Sequence, residues 1–139
     1  MPALAASSEA KLSTCEPELQ RVVRRVVAIW PGQLVVLEGH RGEAAQNQYF
    51  DEGRSKKRWP DGEHNAMPSR AIDLVPAELV DGVRKIDWHD RERMTLLAGY
   101  VCATGLAEGV RIRWGGDWNS DSQVKDNSFD DLPHFELAR

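Results

Sequence analysis

The sequence has no long apolar run, few cysteines, few aromatic residues and no excess of positive charge. Each shortage excludes something. The longest apolar-rich stretch, Thr95 to Ala107, is broken by Gly99 and Gly105. It falls short of the roughly 20 residues that cross a bilayer as a helix, so membrane insertion is not expected. Two cysteines, Cys15 and Cys102, allow at most one disulfide, which excludes a disulfide-stapled scaffold. They lie far apart and Cys102 falls on an apolar helical stripe, so two buried free thiols are predicted. Against 22 acidic residues stand 18 basic ones, a net charge of −4, and no basic block stands out. A nucleic-acid footprint is therefore absent. Residues 1–12 lack the basic start and apolar core of an export signal, which predicts a protein held in the cytoplasm where it is made. There are no repeats and no linker.

What remains is a chain of 139 residues, 41% hydrophobic and 29% charged. That suits one globular domain. Residues 1–12 are small and polar and read as a flexible end, which leaves 13–139 as the domain. From Glu16, the apolar residues Leu19, Val22, Val23, Val26, Val27 and Trp30 recur in steps of three and four. They predict a helix that Pro17 opens and Pro31-Gly32 stops. Leu34 to Leu37 reads as a short buried strand running into the turn Gly39-His40-Arg41-Gly42. Glu43 to Gly53 reads as a short helix, and Arg54 to Pro68 as a polar loop.

Arg70 to Val75 reads as a strand with Ala71 and Asp73 on one face and Ile72 and Leu74 on the other. Asp87 is the candidate N-cap of a helix carrying Met94, Leu97, Ala98, Val101 and Cys102 on one stripe. Val110, Ile112 and Trp114 alternate with Arg111 and Arg113 in a half-buried strand. A polar loop, Gly115 to Asp130, is long enough to suggest a function. The last strand, Pro133 to Leu137, alternates His134 and Glu136 with Phe135 and Leu137. Three helices and about four strands in mixed order predict an α+β fold with a small antiparallel sheet.

If the apolar partners face the core, Asp73 and His134 share the opposite face of the sheet. His64 stands nine residues before Asp73 in the adjoining loop. Two histidines and an aspartate so placed can converge on one metal. Catalytic zinc takes about three such ligands and leaves a position for water. Each of the three could equally be a solvated polar residue. Asp131, three residues before His134, is a candidate general base or a turn aspartate. Glu136 is the rival base, or a support behind a metal-bound histidine. Arg41 could hold a substrate carbonyl or carboxylate, or lie exposed. His40 stands near the cleft through Arg41, and His89 reads as a surface residue. Asp117, Asn119 and Asp121 alternate like the start of a calcium loop. Ser122 and Ser128 replace its turn glycine and closing glutamate, so an EF-hand fails. An irregular calcium site and a solvated loop both stay open.

Four segments occur in order: Gly39-His40-Arg41; His64 with Ser69-Arg70-Ala71-Ile72-Asp73; Trp114-Gly115-Gly116-Asp117-Trp118; and Asp131-Leu132-Pro133-His134-Phe135-Glu136. This set resembles the D-alanyl-D-alanine metallopeptidase family, and most of all its branch of phage endolysins that cleave the L-alanyl–D-glutamate bond of peptidoglycan. The resemblance runs from about Leu12 to the last residue. It implies a hedgehog/D-Ala-D-Ala-peptidase-like domain in which His64, Asp73 and His134 bind one zinc ion. Asp131 would be the catalytic carboxylate and Arg41 would steady the developing oxyanion. Trp114, Asp117 and Glu136 would line or brace the substrate cleft.

The substrate implied is the stem peptide, and the setting is host cell lysis by a monomeric enzyme that waits in the host cytoplasm until release to the wall. A D-alanyl-D-alanine carboxypeptidase or dipeptidase on the same fold is the alternative, as is a non-catalytic zinc-containing wall-binding domain. Many family members hold their histidine and aspartate seven apart in His-x-x-Gly-x-Ala-x-Asp. Here the separation is nine and Ser69 replaces the glycine, which sets the loop from Arg54 to Pro68 apart.

Overall fold

A computed structural model describes residues 4–125 and 130–139. In chain order the elements are α1 (Ala6–Leu12), α2 (Pro17–Ile29), β1 (Gln33–Glu38) and α3 (Glu43–Asp51). A 3-10 turn (Glu63–Asn65) follows, then β2 (Ala71–Val80), β3 (Val83–Lys85), α4 (Arg91–Ala107), β4 (Ile112–Trp114) and β5 (His134–Leu137). The sheet order is β1-β2-β5-β4, with β3 paired to the far end of β2, and every pair is antiparallel. The α+β expectation holds, with four α-helices rather than three among the described residues.

Helices α2 and α4 cover one face of the sheet. The stripe on α2 buries Leu19, Val22, Val23 and Val26 completely, and Pro17 stands in its first turn. Each such side chain contributes roughly 1.5–3 kcal/mol on leaving water, so a charge at Val22 alone would unseat the helix. Leu97 and Val101 of α4 meet them, together with Ile72, Leu74 and Phe135 from the sheet. Helix α4 starts three residues later than expected. Asp87 is spent on the backbone N–H of His89, and Asp90 caps α4 by accepting from the N–H of Arg93 at 3.0 Å.

Two other expectations are corrected. The segment read as a frayed N-terminus is a helix from residue 6, with Leu12 fully buried and the Ser8 hydroxyl accepting from Val36 N at 3.0 Å. Its seven residues are too short to hold themselves. They are held because Gly39 lies against the end of α1, where a Cβ would collide with the Lys11 carbonyl and the Thr14 hydroxyl. The strand from Arg70 does not stop before Pro76, although proline cannot donate to a ladder. It continues to Val80 and turns through Asp81-Gly82 into β3, both turn residues having positive φ (51° and 78°). Asp-Gly is a strong signal for that hairpin turn. Both cysteines are free; Cys15 is buried and Cys102 packs partly exposed against the core.

Candidate active site

The uncovered face of the sheet floors an open cleft of about 450 Å³. Register builds its centre. Asp73 on β2 stands directly across from His134 on β5, and both point away from Ile72 and Phe135 in the core. His64 comes from the 3-10 turn, whose backbone is tied to Arg41: Arg41 N donates to the His64 carbonyl at 2.8 Å. Nε2 of His64 lies 3.2 Å from Asp73 Oδ1 and 3.2 Å from His134 Nδ1, and His134 Nδ1 lies 3.4 Å from Asp73 Oδ1. The three donor atoms fall within 4.8 Å of one another. No other convergence of three or more histidine, cysteine or carboxylate groups occurs among the described residues.

The chemistry of this donor set suits a cation. His64 Nδ1 faces the Gly39 carbonyl at 2.7 Å, and His134 Nε2 faces Glu136 Oε1 at 2.8 Å. A carbonyl and a carboxylate only accept, so each outer nitrogen carries the proton. Once free of any second proton, the inner nitrogens turn two lone pairs toward each other and toward a carboxylate oxygen. That concentration of electron density is the arrangement a divalent ion satisfies, with the outer bonds fixing ring orientation.

The electrostatics follow from the same contacts. Burial raises the Asp73 carboxyl, but the charges and hydrogen bonds of His64 and His134 outweigh it and hold the group well below the ordinary carboxylate range. Burial opposes charge on His134, yet its bonds to Asp73 and Glu136 lift it to about 9. Burial, then the Asp73 charge, raises the Asp131 carboxyl. Asp131 Oδ2 sits 3.9 Å from His134 Nδ1 at the cleft wall. It is aimed there by Gly115, whose carbonyl accepts from Asp131 N at 2.8 Å and whose missing Cβ leaves room for the Asp131 backbone.

Arg41 also faces the cleft, held on three sides. Its Nε and Nη2 donate to the two oxygens of Glu38 at 2.6 and 3.0 Å, and its Nη1 to Gln46 Oε1 at 3.0 Å. Nη2 stands 3.9 Å from Asp73 Oδ2. Glu136 is buried beneath His134 and takes Arg113 Nη2 at 2.7 Å; those two partners outweigh burial and lower its carboxyl. Both of its oxygens are thus engaged from beneath the His134 ring, by that ring and by Arg113.

Two expected cleft residues lie elsewhere. Trp114 is on the core face of β4 and donates Nε1 to the Leu132 carbonyl at 2.7 Å, bracing the turn before His134. Asp117 borders a separate cavity with Cys102, Trp114 and Ser122. The alternation that buries Ile112 also buries Trp114, which is why the first tryptophan of the pair stays out of the cleft. The second reaches it: Trp118 lines the cleft with its ring centre 5.5 Å from that of His134.

The Asp117 carboxylate accepts the backbone N–H groups of Asp121 and Ser122, and the Asn119 amide donates to Asp121 at 3.1 Å, so the loop folds on itself. Ser128 lies outside the described residues. His40 meets Trp59 edge to face, and His89 is exposed as expected.

Sequence reasoning also missed Gln46, the one buried residue of α3, and the run Arg54-Ser55-Lys56-Lys57-Arg58, of which residues 54–57 line the cleft. That run is a basic block, overlooked because whole-chain charge dilutes it. A polar side chain alone on the buried side of a weakly amphipathic helix was the available signal for Gln46.

Two histidines and an aspartate converging at the floor of an open cleft, with Asp131 at its wall, are suited to a hydrolase that takes a peptide-sized substrate. The sequence matches the family described as phage L-alanyl-D-glutamate peptidase over residues 2–138, and the chain belongs to that family. It is 32% identical over 136 residues to the L-alanyl-D-glutamate peptidase of Escherichia phage T5, covering 95% of each chain. Its fold matches the crystal structure of the Serratia marcescens L-Ala D-Glu endopeptidase ChiX with a TM-score of 0.72 at 26% identity, covering 98% of this chain and 90% of that one.

Proposed function

We propose that this chain is a zinc-dependent endopeptidase that hydrolyses the L-alanyl–D-glutamate bond of peptidoglycan stem peptides, serving host cell lysis by a phage. The observation that carries the reading is the inward pair of histidine nitrogens beside Asp73, with Asp131 at the same opening. His64 Nε2, His134 Nδ1 and the Asp73 carboxylate would hold the metal. Zinc bound there supplies Lewis acidity and brings water toward deprotonation near neutral pH.

The chain's own residues do the rest. Asp131, raised by burial, takes a proton from the attacking water and gives it to the amine nitrogen of the departing D-glutamyl residue. Arg41 is pre-positioned by Glu38 and Gln46, and its guanidinium meets the charge that develops on the scissile carbonyl oxygen. Glu136 keeps the His134 ring turned inward throughout. No helix among the described residues is long and apolar enough to cross a membrane. The proposed enzyme is a monomer that waits in the host cytoplasm and acts on the wall once released.

Mass spectrometry of digested muropeptides tests the bond assignment. Products split between L-alanine and D-glutamate are expected, and they should vanish on chelation. Release of terminal D-alanine instead would replace this reading with a D-alanyl-D-alanine carboxypeptidase.

A further inference from the structure

We infer that the segment Arg54–Lys57 is a carboxylate-binding wall of the cleft, one that recognises the free carboxylate of the D-glutamyl residue beside the scissile bond. The inference rests on the substrate proposed above. A D-glutamyl residue has two carboxyl groups, and a linear peptide continues from only one. The other stays next to the bond being cut, charged unless it is amidated.

The cleft's deeper cations already face carboxylates of the protein. Arg41 is bound by both oxygens of Glu38, and Arg113 is bound by Glu136. The segment from Arg54 to Arg58 brings four cations in five residues, with no acidic residue among them, and its pairs with Glu52 (Arg54, 3.3 Å) and Asp51 (Arg58, 3.4 Å) lie in solvent, where such pairs are weak. Arg54, Lys56 and Lys57 line the same cleft as His64 and Asp131.

The wall is built rather than merely exposed. Gln46, 1% exposed, uses its full hydrogen-bonding capacity to fix it. Its Nε2 donates to Ser55 Oγ at 2.9 Å and to the Lys57 carbonyl at 2.5 Å, while its Oε1 accepts from Arg41 at 3.0 Å and from Asn65 at 3.0 Å. One buried amide thus ties the basic segment, the arginine and the turn that carries His64 into a single frame. Tyr49 adds a second tie: its ring lies between the guanidinium groups of Arg54 (4.2 Å) and Arg41 (4.5 Å), and its carbonyl accepts from Arg54 N and Ser55 N. With the backbone so anchored, only the lysine stems remain to be ordered on meeting an anion, which favours recognition.

The test uses two synthetic stem peptides, one with a free D-glutamate carboxylate and one with that group as the carboxamide. The wild-type enzyme should cleave the carboxylate peptide with a KM roughly tenfold lower, an advantage that shrinks as salt rises. Lys56→Gln/Lys57→Gln should raise KM for the carboxylate peptide to near that of the carboxamide while kcat stays within about twofold, as expected for lost binding. The charge-matched control Lys11→Gln/Lys85→Gln, remote from the cleft, should keep the preference. Equal wild-type KM for the two peptides overturns the carboxylate wall and leaves the endopeptidase reading standing. A double variant that keeps the full preference overturns it as well. Cleavage of neither peptide by metal-loaded wild-type enzyme overturns both.

Discussion

Glu136 accepts the Nε2 proton of His134 at 2.8 Å while Asp73 stands 3.4 Å from the opposite nitrogen of the same ring. One imidazole thus stands between two carboxylates, with Nε2 held by Glu136 and Nδ1 left as the nitrogen that would face a metal. Glu136→Gln should weaken this grip without emptying the core. Metal affinity should fall on the order of ten- to a hundredfold, with activity returning at high metal concentration. A competition titration against a chelating dye measures the affinity, and an unchanged value would refute the supporting role.

Asp131 touches the centre from outside the three-donor set. Asp131→Asn keeps shape and removes the proton carrier. Hydrolysis should drop roughly 10²- to 10⁴-fold while metal content, measured by atomic emission, stays at wild-type stoichiometry. Retained hydrolysis at full rate would rule out Asp131 as the base.

The two tryptophans should separate cleanly. Trp118→Ala strips the ring beside His134 and should raise KM with little change in melting temperature. Trp114→Ala removes a side chain that is 5% exposed and should cost about 3–5 kcal/mol of stability. Thermal denaturation and steady-state kinetics on both variants check this. A stable Trp114→Ala protein would contradict the burial.

The thiols give the pH test. Burial pushes Cys15 from 9.0 to about 11, and Cys102 likewise. The folded protein therefore binds these protons more tightly than the unfolded chain. Their contribution to stability is complete below about pH 9 and is lost as the pH climbs toward 11. At pH 8 about one native Cys15 in a thousand is thiolate. A disulfide-exchange reagent should therefore leave Cys15 untouched for hours in buffer and titrate both cysteines within minutes in denaturant. Rapid native reaction at Cys15 would show the site to be open.

Strand periodicity made most of this centre readable in advance. Opposing Asp73 to Ile72 and His134 to Phe135 is a property of period two, and it placed two donors on one face before any pairing was known. Pairing itself is long-range, so the register that sets Asp73 across from His134 had to come from the folded chain. Trp114 shows the rule applied unevenly: the alternation that put Ile112 inside also put Trp114 inside, and motif similarity drew attention from it. The helix at Ala6–Leu12 had no local signal, because what orders it is a contact with Gly39, a residue far along the sequence. Gln46 was invisible for a like reason, since its four partners lie between five and nineteen residues away.

Gly39 and Arg139 together say how this protein should be joined to others. Through Gly39, the end of α1 sets the carbonyl that orients His64. At the other end of the chain, Arg139 reaches Glu63, the neighbour of His64, at 3.0 Å. The end of α1 and Arg139 are thus both moored beside His64, and a rigid fusion that displaces either pulls on the centre. The Asp81-Gly82 hairpin tip, exposed and away from the residues lining the cleft, is the better port for an inserted wall-targeting module.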